Sequence, residues 1–279
     1  MRIMALLTIL SAQLLRAAAP GAPPPTCENV SYSTNHEQCK LDVWLPPAAT
    51  SPCPLVVYFH GGGFTGGDKS AFRSHRILSE YFSRGVAFAS VNYPLMGGSD
   101  SSNLMAQISA YVDIMARAAD AIRFLKAQSA KWNLDPNRIA VMGTSAGAMI
   151  AEHLAYWEDL GITGCYAEEQ PHRSSFLLAA VKKGHPPLIL YTRSATTDQV
   201  HHPDNARKFK MYFDSVGVEC ELYGSPASGL PSLPQGVTIE DQVMRLFSRQ
   251  WQSPLPPTNP NMRSDRPAQG GQGRKPGNS

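Results

Sequence analysis

From Pro54 to Phe59 the chain reads Pro-Leu-Val-Val-Tyr-Phe, with no charged or amide side chain. An uninterrupted apolar run of that length is the pattern of a strand covered on both faces. Two alternating stretches precede it, Asn29 to Ser33 and Lys40 to Leu45, and they predict half-buried strands. Further along, strand-like stretches at Val86 to Asn92, Ile139 to Gly143, Gly164 to Ala167, Pro187 to Thr192 and Val218 to Tyr223 alternate with helix-like ones. The helical spacing covers Ser74 to Arg84, Asn103 to Ser129, Ala146 to Leu154, Asp204 to Val216 and Thr238 to Trp251. Thr238 followed by Asp241 has the form of a capping box, which starts the last helix. Strand and helix alternating at this spacing, without an internal repeat, predict an α/β fold with a mostly parallel central sheet and helices on both faces.

Composition refines the boundaries. With 279 residues, 43% hydrophobic and 17% charged, the chain suits one globular domain. The formal net charge is only +3, from 25 basic and 22 acidic residues. That balance lacks the clustered basic footprint of a nucleic-acid binder or an anionic-membrane binder. Met1-Arg2, an apolar stretch from Ile3 to Leu15, and Ala17-Ala18-Ala19 form a secretory signal pattern. The apolar stretch is too short for a membrane span, which needs about 20 such residues. The expected layout is a cleaved signal over 1–19, a linker over 20–27, a folded domain over 28–252 and a disordered polar tail over 253–279. The protein is therefore expected to be secreted or periplasmic, without stable membrane insertion. None of the five cysteines has zinc-site spacing. In an exported protein Cys27 and Cys39 are a candidate disulfide, and the odd count leaves at least one thiol free.

Two short segments carry the chemistry. His60-Gly61-Gly62-Gly63-Phe64 follows the buried strand directly. Gly61, Gly63 and Gly66 also match the spacing of a dinucleotide-binding loop, but that reading needs an acid at the end of the next strand. The next strand ends instead in Asn92-Tyr93-Pro94. The second segment, Gly143-Thr144-Ser145-Ala146-Gly147, lies between a predicted strand and a predicted helix. This is the G-x-S-x-G turn that exposes a serine hydroxyl at the carboxyl end of a sheet. The helix starting behind Ser145 points its amino terminus and the Ala146 N–H toward a developing oxyanion.

These segments, together with Asp135-Pro136-Asn137-Arg138-Ile139, resemble the α/β-hydrolase superfamily. Within it they are similar to the HGGG-type esterase and lipase group, which includes small secreted carboxylesterases and feruloyl or acetylxylan esterases. The resemblance covers about Val30 to Trp251. It implies a serine esterase with Ser145 as nucleophile and with Gly62, Gly63 and Ala146 supplying the oxyanion hole. It also implies an acid after the penultimate strand, where Asp198 stands; Asp204 reads better as the cap of the next helix. No cofactor or metal is implied, and the expected substrate is a small-molecule or polysaccharide ester.

The histidine of that family, in the loop after the last strand, is missing. Here the loop reads Gly224-Ser225-Pro226-Ala227-Ser228-Gly229-Leu230-Pro231, and no histidine follows His202. His60 belongs to the glycine loop, while His36, His75, His153 and His185 lie away from the expected catalytic edge. Loops after parallel strands gather the sites of such sheets, which leaves His201, then His202, then His172, as candidate bases. His201 stands three residues from Asp198, close enough for one loop to present both.

The short interval between Ser145 and the strand before Asp198 leaves little room for a lid. It predicts an open, shallow site for short acyl groups or polymer-attached esters, with Tyr156, Trp157 and Tyr166 as candidate lining residues. The competing reading is a ligand- or glycan-binding relative that kept the scaffold and lost its base.

Overall fold

A computed structural model describes residues 23–47, 49–72, 77–97 and 103–252. The expected signal (1–19), the tail (253–279) and His75 lie outside the described residues. Eight strands form one sheet: β1 (Cys27–Ser31), β2 (Lys40–Trp44), β3 (Cys53–Phe59), β4 (Ala87–Val91), β5 (Leu134–Thr144), β6 (Ile162–Glu168), β7 (Leu188–Thr192) and β8 (Cys220–Gly224). Their order across the sheet is β1-β2-β4-β3-β5-β6-β7-β8. The pairings of β2 with β1 and with β4 are antiparallel, and every later pairing is parallel.

Alternation within β3 explains why that strand is apolar throughout. Leu55, Val57 and Phe59 enter the core on one face, and Val56 and Tyr58 enter the core on the other. The first face is covered by α2 (Leu104–Ala127), α4 (Ala146–Tyr156) and α5 (Pro203–Val216). The second is covered by α1 (Ile77–Ser83) and α6 (Ile239–Gln250), and α6 starts with the expected Thr238–Asp241 capping box. This is the arrangement of an α/β-hydrolase fold.

Four expectations change. The long helix ends at Ala127 and is followed by a separate short one, α3 (Ser129–Trp132), closed by Asn133 in the left-handed region at φ 52°. Strand β5 starts at Leu134 rather than Ile139, and its pairing with β3 shifts register between Cys53 and Leu55. Cys27 and Cys39 do not form a disulfide: all five thiols are free, and Cys39 is fully buried. Buried free cysteines behave as small hydrophobes. Finally, α5 is capped by His202 and not by Asp204. The His202 Nδ1 accepts from the Asp204 N–H at 3.2 Å, because Pro203 takes the first helical position and puts the cap one residue earlier.

The segment after the glycine loop is held to the sheet by polar contacts. Lys69 Nζ lies 2.9 Å from the buried Asp42 carboxylate on β2, and the Asn92 amide just beyond β4 donates to Asp68 at 2.7 Å.

Candidate active site

Ser145 occupies the turn between β5 and α4 with φ 55° and ψ −117°. Such backbone is strained for a residue with a side chain, by about 1–3 kcal/mol, and persists only where its surroundings enforce it. Those surroundings are specific. The Ser145 N–H donates to the Glu168 carbonyl at 2.8 Å, and the Thr144 hydroxyl donates to the Glu168 carboxylate at 3.0 Å. Burial pushes the Glu168 carboxyl up, against the opposing pull of Arg193 at 2.6 Å and of Thr144. Behind the serine, α4 presses on the sheet at Gly147, where a Cβ would lie 2.0 Å from the Phe59 carbonyl oxygen.

The glycine loop packs beside this turn. A Cβ on Gly61 would stand 3.5 Å from that of Ser145, and Gly62 has φ 118° with only 2.1 Å between its hypothetical Cβ and the Gly66 oxygen. The Gly62 carbonyl accepts from the Thr65 and Gly66 N–H groups, which closes the loop. Among the described residues no acceptor takes the N–H of Gly62, Gly63 or Ala146. Gly63 and Ala146 line one cavity with Ser145, and Gly62 stands exposed beside Gly63 in the same loop. His60 supports the loop: its Nδ1 is 2.7 Å from the Gly61 carbonyl, and its ring stacks on Tyr93 at 4.4 Å. Burial lowers the His60 pKa and so favours its neutral form.

His201 completes the constellation. Its Nε2 lies 2.9 Å from Ser145 Oγ, the distance of a hydrogen bond. Its Nδ1 faces Asp198 Oδ2 at 3.6 Å, longer than a formed bond and within the slack that catalytic contacts show before substrate arrives. The other oxygen of Asp198 accepts from the N–H groups of His201 at 2.7 Å and Val200 at 2.8 Å. The His201 amide is the largest influence holding that carboxyl below the usual range, so it remains a carboxylate. One tight turn after β7 therefore delivers both groups. The residues after β8, where the resembling family carries its histidine, hold a short helical turn at Pro226–Ser228 instead.

The other two candidate bases bond to other partners. His202 caps α5. His172 lines the Ser145 cavity, where its N–H donates to the Val200 carbonyl at 2.8 Å and its Nε2 accepts from Arg173 at 3.2 Å. Tyr156 and Tyr166 are buried in the core and Trp157 bonds the Leu177 carbonyl; none of the three lines the cavity. Tyr156 and Tyr166 meet the two packed faces of the sheet, and Trp157 stands half exposed at the end of α4. The lining aromatics are Phe64, Tyr111 and Phe176. For Tyr111 the signal in the sequence was its spacing from Leu104 and Ile108, which sets the three on one face of α2. The cavity measures about 990 Å³.

Comparison with known proteins adds three findings. Residues 41–212 match the family described as BD-FAE. Gut esterase 1 of Caenorhabditis elegans is 30% identical over 124 residues, which are 44% of this chain and 22% of that protein. This chain spans only 22–24% of the length of such curated relatives. Among solved structures, a truncated carbohydrate esterase from gut microbiota superposes at a TM-score of 0.63 with 15% identity, over 84% of this chain and 100% of that one. Esterase 2 of Thermogutta terrifontis, phosphonylated by sarin, superposes at 0.58 with 18% identity, over 73% and 84%. At such identities the likeness is one of fold.

Proposed function

The chain belongs to the BD-FAE family, and from that premise we propose that it is a serine esterase acting through an acyl-enzyme on Ser145. The observation that carries the reading is His201 Nε2 at 2.9 Å from Ser145 Oγ, with Asp198 on the same turn. A serine hydroxyl is a weak nucleophile until a base takes its proton. With its own proton on Nδ1 facing Asp198, the His201 ring leaves Nε2 free to accept from Ser145 as the oxygen attacks an ester carbonyl. The new tetrahedral oxyanion is taken by the Gly62, Gly63 and Ala146 N–H groups, none of which has an acceptor among the described residues. Each such donor contributes about 10²–10³ in rate.

Collapse of that intermediate breaks the bond to the alcohol oxygen, which receives the proton from His201 Nε2. Water then repeats the sequence on the acyl-enzyme, with His201 again as base, and releases the acid and Ser145. Asp198 orients the ring and stabilises the imidazolium in both halves. No step calls on a cofactor.

The binding-module reading drew on the lack of a histidine after β8; His201 Nε2 at 2.9 Å from Ser145 Oγ supports the esterase reading over it. The signal-like residues 1–19 support a secreted or periplasmic setting for the reaction. The direct test is p-nitrophenyl acetate hydrolysis by the purified protein beside Ser145→Ala. The variant is expected to fall to background; equal rates in both would reject the assignment.

A further inference from the structure

Among the described residues eight large apolar side chains are exposed, and six of them lie on α2 or at one cavity, Trp157 and Met211 being the exceptions. Leu104, Ile108, Phe176 and Val200, 69%, 48%, 47% and 44% exposed, all line the mouth of the cavity that ends at Ser145. Met105 and Val112 stand beside them on α2. A contiguous exposed apolar patch is uncommon on a soluble protein and marks a surface that receives an apolar partner. Deeper in, Phe64, Tyr111 and Met149 continue the lining to the serine, and among the described residues Gln107, His172 and Arg173 are its polar members besides Thr65 and Ser145.

The dimensions of this wall are informative. Leu104, Ile108 and Tyr111 follow one another along one face of α2, and at 1.5 Å per residue they extend over about 10 Å. An acetyl group is far shorter than this wall, whereas an extended chain of about eight carbons has the length of the whole of it. The cavity volume, about 990 Å³, lies at the upper end of the range for small-ligand sites.

We propose that the substrate of this site is an ester with one extended aliphatic arm of about six to ten carbons, laid along α2 between Leu104 and Tyr111, at the mouth that Phe176, its ring 5.6 Å from that of Tyr111, and Val200 also line. This rests on the esterase reading and revises the short-acyl expectation drawn from the sequence. Burying each methylene there raises kcat/KM by up to about fourfold. The arm is the acyl chain or the alcohol chain, and the two are separable by experiment.

Two series of monomeric substrates below their aggregation limits make the test: p-nitrophenyl acetate, butyrate, hexanoate and octanoate, and the ethyl, butyl, hexyl and octyl acetates. In one series kcat/KM is expected to rise by at least about tenfold from the shortest to the longest member. A rise in the first assigns the wall to the acyl chain, and a rise in the second assigns it to the alcohol. Ile108→Ser and Phe176→Ser, both at exposed positions, are expected to lower the long-to-short ratio in the responding series. Hydrolysis of the short esters with flat or falling profiles in both series, or ratios unmoved by both variants, overturns the proposal and leaves the esterase reading standing. Absence of hydrolysis throughout overturns both.

Discussion

His201 and Asp198 lie side by side because only two residues stand between them and the turn is closed by Asp198 accepting two amides. That closeness was legible in the sequence, as was Ser145, since both depend on neighbours along the chain. Glu152 was not. Its side chain on α4 is fully buried, and it accepts from Gln170 at 2.9 Å while Gln170 also donates to Ser174. These partners are scattered along the chain, and only packing unites them. Burial pushes the Glu152 carboxyl up to about 8, so the folded protein holds it neutral at pH 7. In the unfolded chain the same group ionises near pH 4.3, roughly its unperturbed value. Between those values the unfolded state loses a proton that the folded state keeps, so stability falls as pH rises. Glu152→Gln removes that penalty and keeps an acceptor for Gln170. Thermal melts are expected to give the variant a higher Tm at pH 8 and no advantage at pH 4; a gap independent of pH would contradict the burial account.

Helix α4 approaches β3 closely at Gly147, and the last glycine of the G-x-S-x-G turn permits that approach. The hypothetical Gly147 Cβ would sit 2.0 Å from the backbone oxygen of Phe59, which cannot swing away as a side chain can. Gly147→Ala must displace the helix or the strand, and overpacking of this kind costs about 1–3 kcal/mol. A lowered Tm together with loss of esterase rate is expected, since α4 carries the Ala146 N–H; an alanine variant with unchanged melting and rate would disprove the close packing. Element types followed from hydrophobic period: an all-apolar β3, a capped α6, a long α2. Boundaries moved where tertiary contacts outweighed local preference. Strand β5 runs back to Leu134 through Asp135, whose carboxylate ties down Arg138 at 2.6 Å and the Asn137 N–H at 2.9 Å. The cap of α5 moved to His202 because Pro203 sets the first turn.

For the whole molecule, the order of elements was enough to expect a parallel sheet clothed on both faces, and the matching family spans residues 41–212 of it. The cavity was not legible in the same way. Its walls come from the glycine loop, α2, the residues after β6 and the turn after β7, and their apolar side chains read as core until the fold leaves them at a mouth. The same geometry explains how the site dispenses with a histidine after β8. The turn after β7 ends beside Ser145, so a residue three positions beyond Asp198 reaches the hydroxyl. The most direct test of that relocation is intact-mass measurement of fluorophosphonate labelling in the wild-type protein and in His201→Ala. The account predicts one adduct in the wild type, mapped to Ser145, and labelling slowed by about 10²–10⁴-fold in the variant. Equal labelling rates in the two proteins, or an adduct on another residue, would contradict it.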